Sequence, residues 1–111
     1  MRKILYVFVL TAFFNACSFL NNIDDNTPIK EIEEKLQLKY EVLSDEYFKI
    51  LENPINDKDR KNILEKFEKM KNETQKIKNS RKNIKIEELK VFNSYIDKIN
   101  LNIQYLNDLA D

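Results

Sequence analysis

Three groups of residues in this chain have the types that could do chemistry. Cys17 is its single cysteine, and a lone thiol can act as a nucleophile, bind a metal or carry a covalent modification. The adjacent acids Glu33-Glu34 and Glu87-Glu88 are the residue type that a glycosidase uses as acid and base. The run from Lys71 to Lys85, KNETQKIKNSRKNIK, offers Lys71, Lys76, Lys78, Arg81, Lys82 and Lys85 as contacts for an anionic surface.

Composition narrows these options. Histidine is absent, which removes the commonest general base and a usual zinc ligand, and one cysteine cannot form an intramolecular disulfide. Glycine is absent too, so the chain has no glycine-rich phosphate cradle and no residue that takes positive φ without penalty. Neighbouring acids on a helix point about 100° apart, and the sequence offers no obvious cleft or supporting partners around either pair. The expectation is a chain without catalysis, cofactor or metal, and without a small-molecule substrate. Hydrophobic residues make up 42% and charged residues 34% with no net charge, a balance that suits a folded, solvated domain rather than a disordered tail.

The position of Cys17 explains it better than its reactivity does. Arg2 and Lys3 precede an apolar run from Ile4 to Phe14, which is too short for a bilayer-spanning helix of about 20 residues but suits an export signal. The run ends in Phe14-Asn15-Ala16-Cys17, which resembles the lipobox of bacterial lipoproteins. Ala16 and Cys17 match that pattern, whereas Phe14 and Asn15 replace the usual leucine and small residue in a way similar to the relaxed lipoboxes of spirochaetes. The resemblance covers residues 1–17 and implies cleavage between Ala16 and Cys17, acylation of Cys17 (palmitate among the chains) and a lipid-anchored place in the cell envelope. Ser18 stands where lipoproteins kept in the inner membrane of many diderm bacteria carry aspartate, which by the same resemblance favours the outer membrane. Without the resemblance, the run reads as an ordinary cleaved signal that leaves a free thiol, a liability in an oxidising compartment, or as an N-terminal helix burying its cysteine.

Three segments carry a helical period. Thr27-Pro28 suits a helix start, with a hydroxyl to cap and proline at the first helical position. From there Ile29, Ile32, Leu36, Tyr40, Leu43, Tyr47 and Ile50 recur at spacings of 3, 4, 4, 3, 4 and 3, one apolar face of a helix that Asn53-Pro54 ends. Asn56 or Asp57 can cap a second helix with the stripe Ile63, Phe67, Met70, Thr74 and Ile77, flanked by Leu64. The third stripe is Leu89, Phe92, Ile96, Ile99, Ile103 and Leu106, with Tyr95 at its edge. Continuing the second stripe by heptads leads to Glu88 and Val91, one residue out of phase with Leu89 and Phe92, so a turn is expected near Ser80 to Lys85 with Asn83 in the left-handed conformation. A single helix running through a stutter is the alternative.

The expected organisation is a signal peptide over 1–16, the lipidated cysteine and a polar tether over 17–27, and an all-α domain over 28–111. Helices are expected at about 28–52, 57–79 and 86–107. They would form an antiparallel up-down-up three-helix bundle, or a helical hairpin with a long bent second arm. Charge favours the bundle. Residues 29–52 set four lysines against seven acids for −3, residues 57–83 set ten cations against five acids for +5, and residues 84–111 set three lysines against five acids for −2. A basic helix therefore sits between two acidic ones.

With chemistry excluded, function falls to contact. Leu38 and Val42 lie roughly opposite the first stripe, and Leu101 and Tyr105 roughly opposite the third, which makes them candidate contacts for a protein partner or for self-association. The expected function is a membrane-anchored, surface-exposed interaction module. A periplasm-facing accessory subunit of an outer-membrane assembly or envelope complex is second, and a protein whose helices bind anionic lipid is third. Nucleic acid is not an expected partner, because the export signal takes the chain away from it.

Overall fold

A computed structural model describes Ile23, residues 26–52 and residues 54–110 of the 111. It holds three helices, α1 (Ile29–Leu51), α2 (Asp57–Ser80) and α3 (Ile86–Asp108). The chain is an all-α three-helix bundle.

Each helix forms where its stripe predicts, and the stripes make the core. Ile32, Leu36 and Leu43 of α1, Ile63, Phe67, Met70 and Ile77 of α2, and Phe92, Tyr95, Ile99 and Leu106 of α3 close into one buried cluster, with Tyr40, Tyr47 and Leu64 among the half-buried residues packed on it. Tyr40 meets the rings of Phe67 and Tyr95 edge-on at 6.4 and 6.2 Å, a geometry in which the positive edge of one ring meets the negative face of the other. The polar members of the core are satisfied internally. Thr74, fully buried, donates from Oγ1 to the Met70 carbonyl at 2.7 Å, and no buried side-chain polar atom among the described residues lacks a partner.

The pairings fix topology and register. Glu46 of α1 accepts from Lys66 of α2 at 3.0 Å, and Lys39, seven residues earlier, acts on Glu73, seven residues later, so these helices run antiparallel. On the other side Lys78 Nζ donates to Asn93 Oδ1 at 2.7 Å and Arg60 Nη1 to the Leu106 carbonyl at 3.4 Å, which makes α2 and α3 antiparallel as well. The helices α1 and α3 are therefore parallel, joined where Asn102 Nδ2 donates to Tyr40 Oη at 2.7 Å. The most extensive packing lies between α2 and α3, and α1 covers that pair more lightly.

The boundaries show which local signals acted. Asn56 caps α2, its side chain accepting from the Lys58 N–H at 2.8 Å. Asn83 takes φ 55°, the conformation left open when no glycine is at hand, and the helix breaks between Ser80 and Ile86, so the bent-arm and continuous-helix alternatives are excluded. The start of α1 differs from expectation. Pro28 itself holds the cap position, its carbonyl accepting from the Glu31 and Ile32 amides without a side-chain cap, because its extended backbone (φ −60°, ψ 142°) places it one step outside the first turn. Thr27 is buried and Ile23 packs against the core, so part of the stretch expected to be a tether belongs to the bundle.

Candidate functional site

Ala16, Cys17, the signal segment and most of the tether lie outside the described residues. The candidates within the bundle fall at three places.

The basic run does not form one patch. Arg81, at the end of α2, turns inward with only 8% of its side chain exposed and donates from Nη2 to Glu88 Oε2 at 3.0 Å. The other oxygen of Glu88 accepts from the Lys85 N–H at 3.1 Å, which completes one limb of a capping box at the start of α3. The Lys85 amide and then the Arg81 guanidinium hold the Glu88 carboxyl below the usual range. One carboxylate thus ties the two ends of the α2–α3 turn together. Lys78 is held by Asn93. Lys71 is half-buried and sits a heptad before Lys78, on the flank toward α3, whereas exposed Lys76 lies one turn past Glu73, on the flank toward α1. Lys82 and Lys85 are exposed in the turn. The acids Glu33-Glu34 and Glu87-Glu88 are on different helices, α1 and α3.

All four apolar partner candidates are exposed, Leu38 most of all at 65%. They do not share a face. Val42 stands one turn before Glu46 and Leu38 just before Lys39, both on the side of α1 that turns from α2 to solvent. Tyr105, three residues past the Asn102 that bonds Tyr40 of α1, flanks the α1–α3 seam, and Leu101, one turn before it, lies farther round toward solvent.

Two features escaped the sequence reading. Phe48, 64% exposed, meets Tyr47 edge-on at 6.2 Å and is the largest of the exposed apolar side chains of α1. Its position, one residue beyond a core tyrosine, gave no periodic signal. Arg60 is 6% exposed and donates from Nε and Nη2 to Asp57 Oδ1 at 3.1 and 2.7 Å besides reaching Leu106. The bonds from Arg60 and then Lys61 hold the Asp57 carboxyl below its ordinary pKa. The signal was present, because Arg60 stands three residues before Ile63 on the same stripe and three after Asp57. Its charge hid it among the solvated lysines.

One shallow cavity of about 410 Å³ opens where α1 meets the start of α2, lined by Glu46, Lys49, Ile50, Asp59, Asn62 and Lys66 among others. Its two lysines face two acids, and Lys66 is already bound to Glu46, so it is an ion-paired cleft between helices rather than an apolar pocket with convergent polar groups. Burial holds the Glu73 carboxyl above its ordinary pKa against the pull of Lys69, Lys39 and Lys76, but no nucleophile or oxyanion donor accompanies it among its named neighbours. Among the described residues no three His, Cys, Asp or Glu side chains come together to hold a metal, and no helix is long and apolar enough to cross a membrane. The chain matches no protein-family model, and no curated protein or solved structure is significantly similar to it.

Proposed function

We propose that this chain is a lipid-anchored envelope protein whose helical bundle acts by contact with another protein and performs no catalysis. The observation that carries the reading is the join of two dissimilar parts. An apolar run closing on Ala16-Cys17 is followed within a few residues by a bundle with a closed core that leaves Leu38, Val42, Phe48, Leu101 and Tyr105 in solvent. Acylation of Cys17 supplies the membrane affinity, since each buried methylene contributes roughly 0.8 kcal/mol and two or more chains hold a protein stably. The docking of Ile23 on the core makes the connection short. Six residue steps span at most about 20 Å, so the bundle works close to the surface that holds it. Engagement of Arg81 and Lys78 within the bundle favours protein contact over a cationic grip on lipid.

Three measurements test this reading. Cys17→Ala should move the protein out of the membrane fraction and abolish palmitate labelling; retention in that fraction overturns the anchor. Protease added to intact cells should degrade the bundle if it faces outward. Survival there, with loss only after the envelope is opened, assigns it to the periplasmic side and to an assembly within the envelope.

A further inference from the structure

We propose that the groove between the C-terminal halves of α1 and α3 binds a basic amphipathic helix of a partner protein. This rests on the protein-contact reading above and names the surface and the chemistry of the partner.

The groove follows from the register. Tyr40 meets Tyr95 and accepts from Asn102 of α3, so Tyr47, one heptad further along α1, sits at the same seam, and Phe48, edge-on to Tyr47 at 6.2 Å, lies on its solvent side. Leu51 comes one turn later. On α3, Asn102 bonds Tyr40, so Leu109, a heptad past it, and Tyr105, three residues past it, lie on the flank toward α1, with Leu101, one turn before Tyr105, at the outer edge of that row. These five side chains are all exposed. They stand in two parallel rows, at i and i+3 on one helix and at i, i+4 and i+8 on the other, with the half-buried Tyr47 and Tyr40 beneath. Two rows at helical spacing over a parallel seam accept the apolar face of one further helix, whose own anchors recur every three or four residues.

The rim selects the occupant. Exposed Glu41, Asp45 and Glu52 border the α1 row and Asp108 the α3 row, whereas the nearby cation, Lys98, is drawn over the Tyr95 ring at 5.0 Å from its centroid. A second copy bound by the same patch would set these acids against their own equivalents, a like-charge juxtaposition that disfavours the pairing. The cationic helix face within the chain is that of α2, where Lys58, Lys61, Lys69 and Lys76 are accompanied by Glu65, Glu68, Asn72 and Asn79, so it brings no apolar side chain to fill the rows. An anionic bilayer is repelled by the same rim. The groove also lies toward the end of the bundle opposite the start of α1, with Phe48 about 28 Å along that helix from Ile29. A helix with apolar anchors and lysine or arginine flanks satisfies all of these conditions.

The test uses the full chain in the cells that make it. A photo-crosslinking phenylalanine analogue replaces Phe48 in one variant, Leu101 in a second and Lys69 on the α2 solvent face in a third, and the joined peptides are identified by mass spectrometry. Because all three positions are exposed, the variants should keep wild-type helicity by circular dichroism. Adducts at Phe48 and Leu101 should exceed those at Lys69 by on the order of tenfold, and should join a segment with apolar residues every three or four positions and net positive charge. Adding E41K and E52K to the Phe48 variant should cut its yield several-fold. Equal yields at the three positions, a joined segment that is acidic or lacks the helical period, a second copy of this chain, or lipid as the joined species would each overturn the proposal. The Cys17→Ala fractionation reports on the anchor independently, so loss of the anchor reading and loss of the groove are told apart.

Discussion

At Asn83 the backbone stands at φ 55° in a chain that has no glycine to put there. Asparagine tolerates this region because its short side chain can bond locally, whereas a β-carbon without that help costs about 1–2 kcal/mol. Asn83→Ala should therefore lower the unfolding free energy by about that amount in a denaturant titration, while Asn83→Gly should leave it nearly unchanged or raise it. The turn was legible because two apolar stripes fell out of phase. The clamp beside it was not, because Arg81 and Glu88 are seven residues apart and meet only once the turn is folded, so Arg81 read as one more cation in a basic run. That clamp sets a pH dependence. The folded pKa of Glu88 lies below its unfolded value, so its contribution is complete above the ordinary carboxylate range near about 4.3 and is lost as pH falls through the folded pKa. Asp57 follows the same sign. Glu88→Gln should lower stability at pH 7 and flatten the loss seen on acidification, as followed by the urea midpoint.

The three helices were written in the periodicity of their apolar residues, and almost every stripe residue is buried or packs on the core. What periodicity did not give was their unequal attachment. The tightest packing is between α2 and α3, where Lys78, Arg81 and Arg60 all reach across, and α1 lies on that hairpin with the Tyr40 and Glu46 contacts as its polar ties. Amides of α1 should exchange with solvent faster than those of α2 and α3 in native-state hydrogen exchange, since elements with fewer buried contacts open at lower free energy. Leu36→Ala, at a site with no exposed surface, should cost about 2–5 kcal/mol and widen that difference by releasing α1 first. Proline was expected at the first helical position, but the extended backbone of Pro28 makes it the cap residue instead. Ile23 lay beyond any run long enough to show a period.

Across the molecule, the Glu46–Lys66 and Arg81–Glu88 pairs bear the sign of the charge alternation along the chain, but the two acidic helices α1 and α3 are neighbours too, joined by a neutral bond from Asn102 to Tyr40. The groove was half legible. Leu101 and Tyr105 stood out as apolar residues off their stripe, but Phe48 and the acids around it come together only through the parallel alignment of α1 and α3. That alignment brings both of their C-termini to one end of the bundle, where their last carbonyls present the negative poles of two helix dipoles to the single positive pole of α2. The last turn of α3 has no basic residue of its own. Arg60, carried in from the first turn of α2 and bonded to the Leu106 carbonyl, supplies the cation that this pole lacks, an interaction worth about 0.3–1 kcal/mol at a surface and up to about 2 when partly buried. Arg60→Gln keeps much of the packing and a donor but removes the charge, so it should fray Leu106 to Asp108 ahead of the rest of α3, visible as faster amide exchange confined to that turn. The buried guanidinium is in effect a C-terminal counter-ion that α3 borrows from its neighbour.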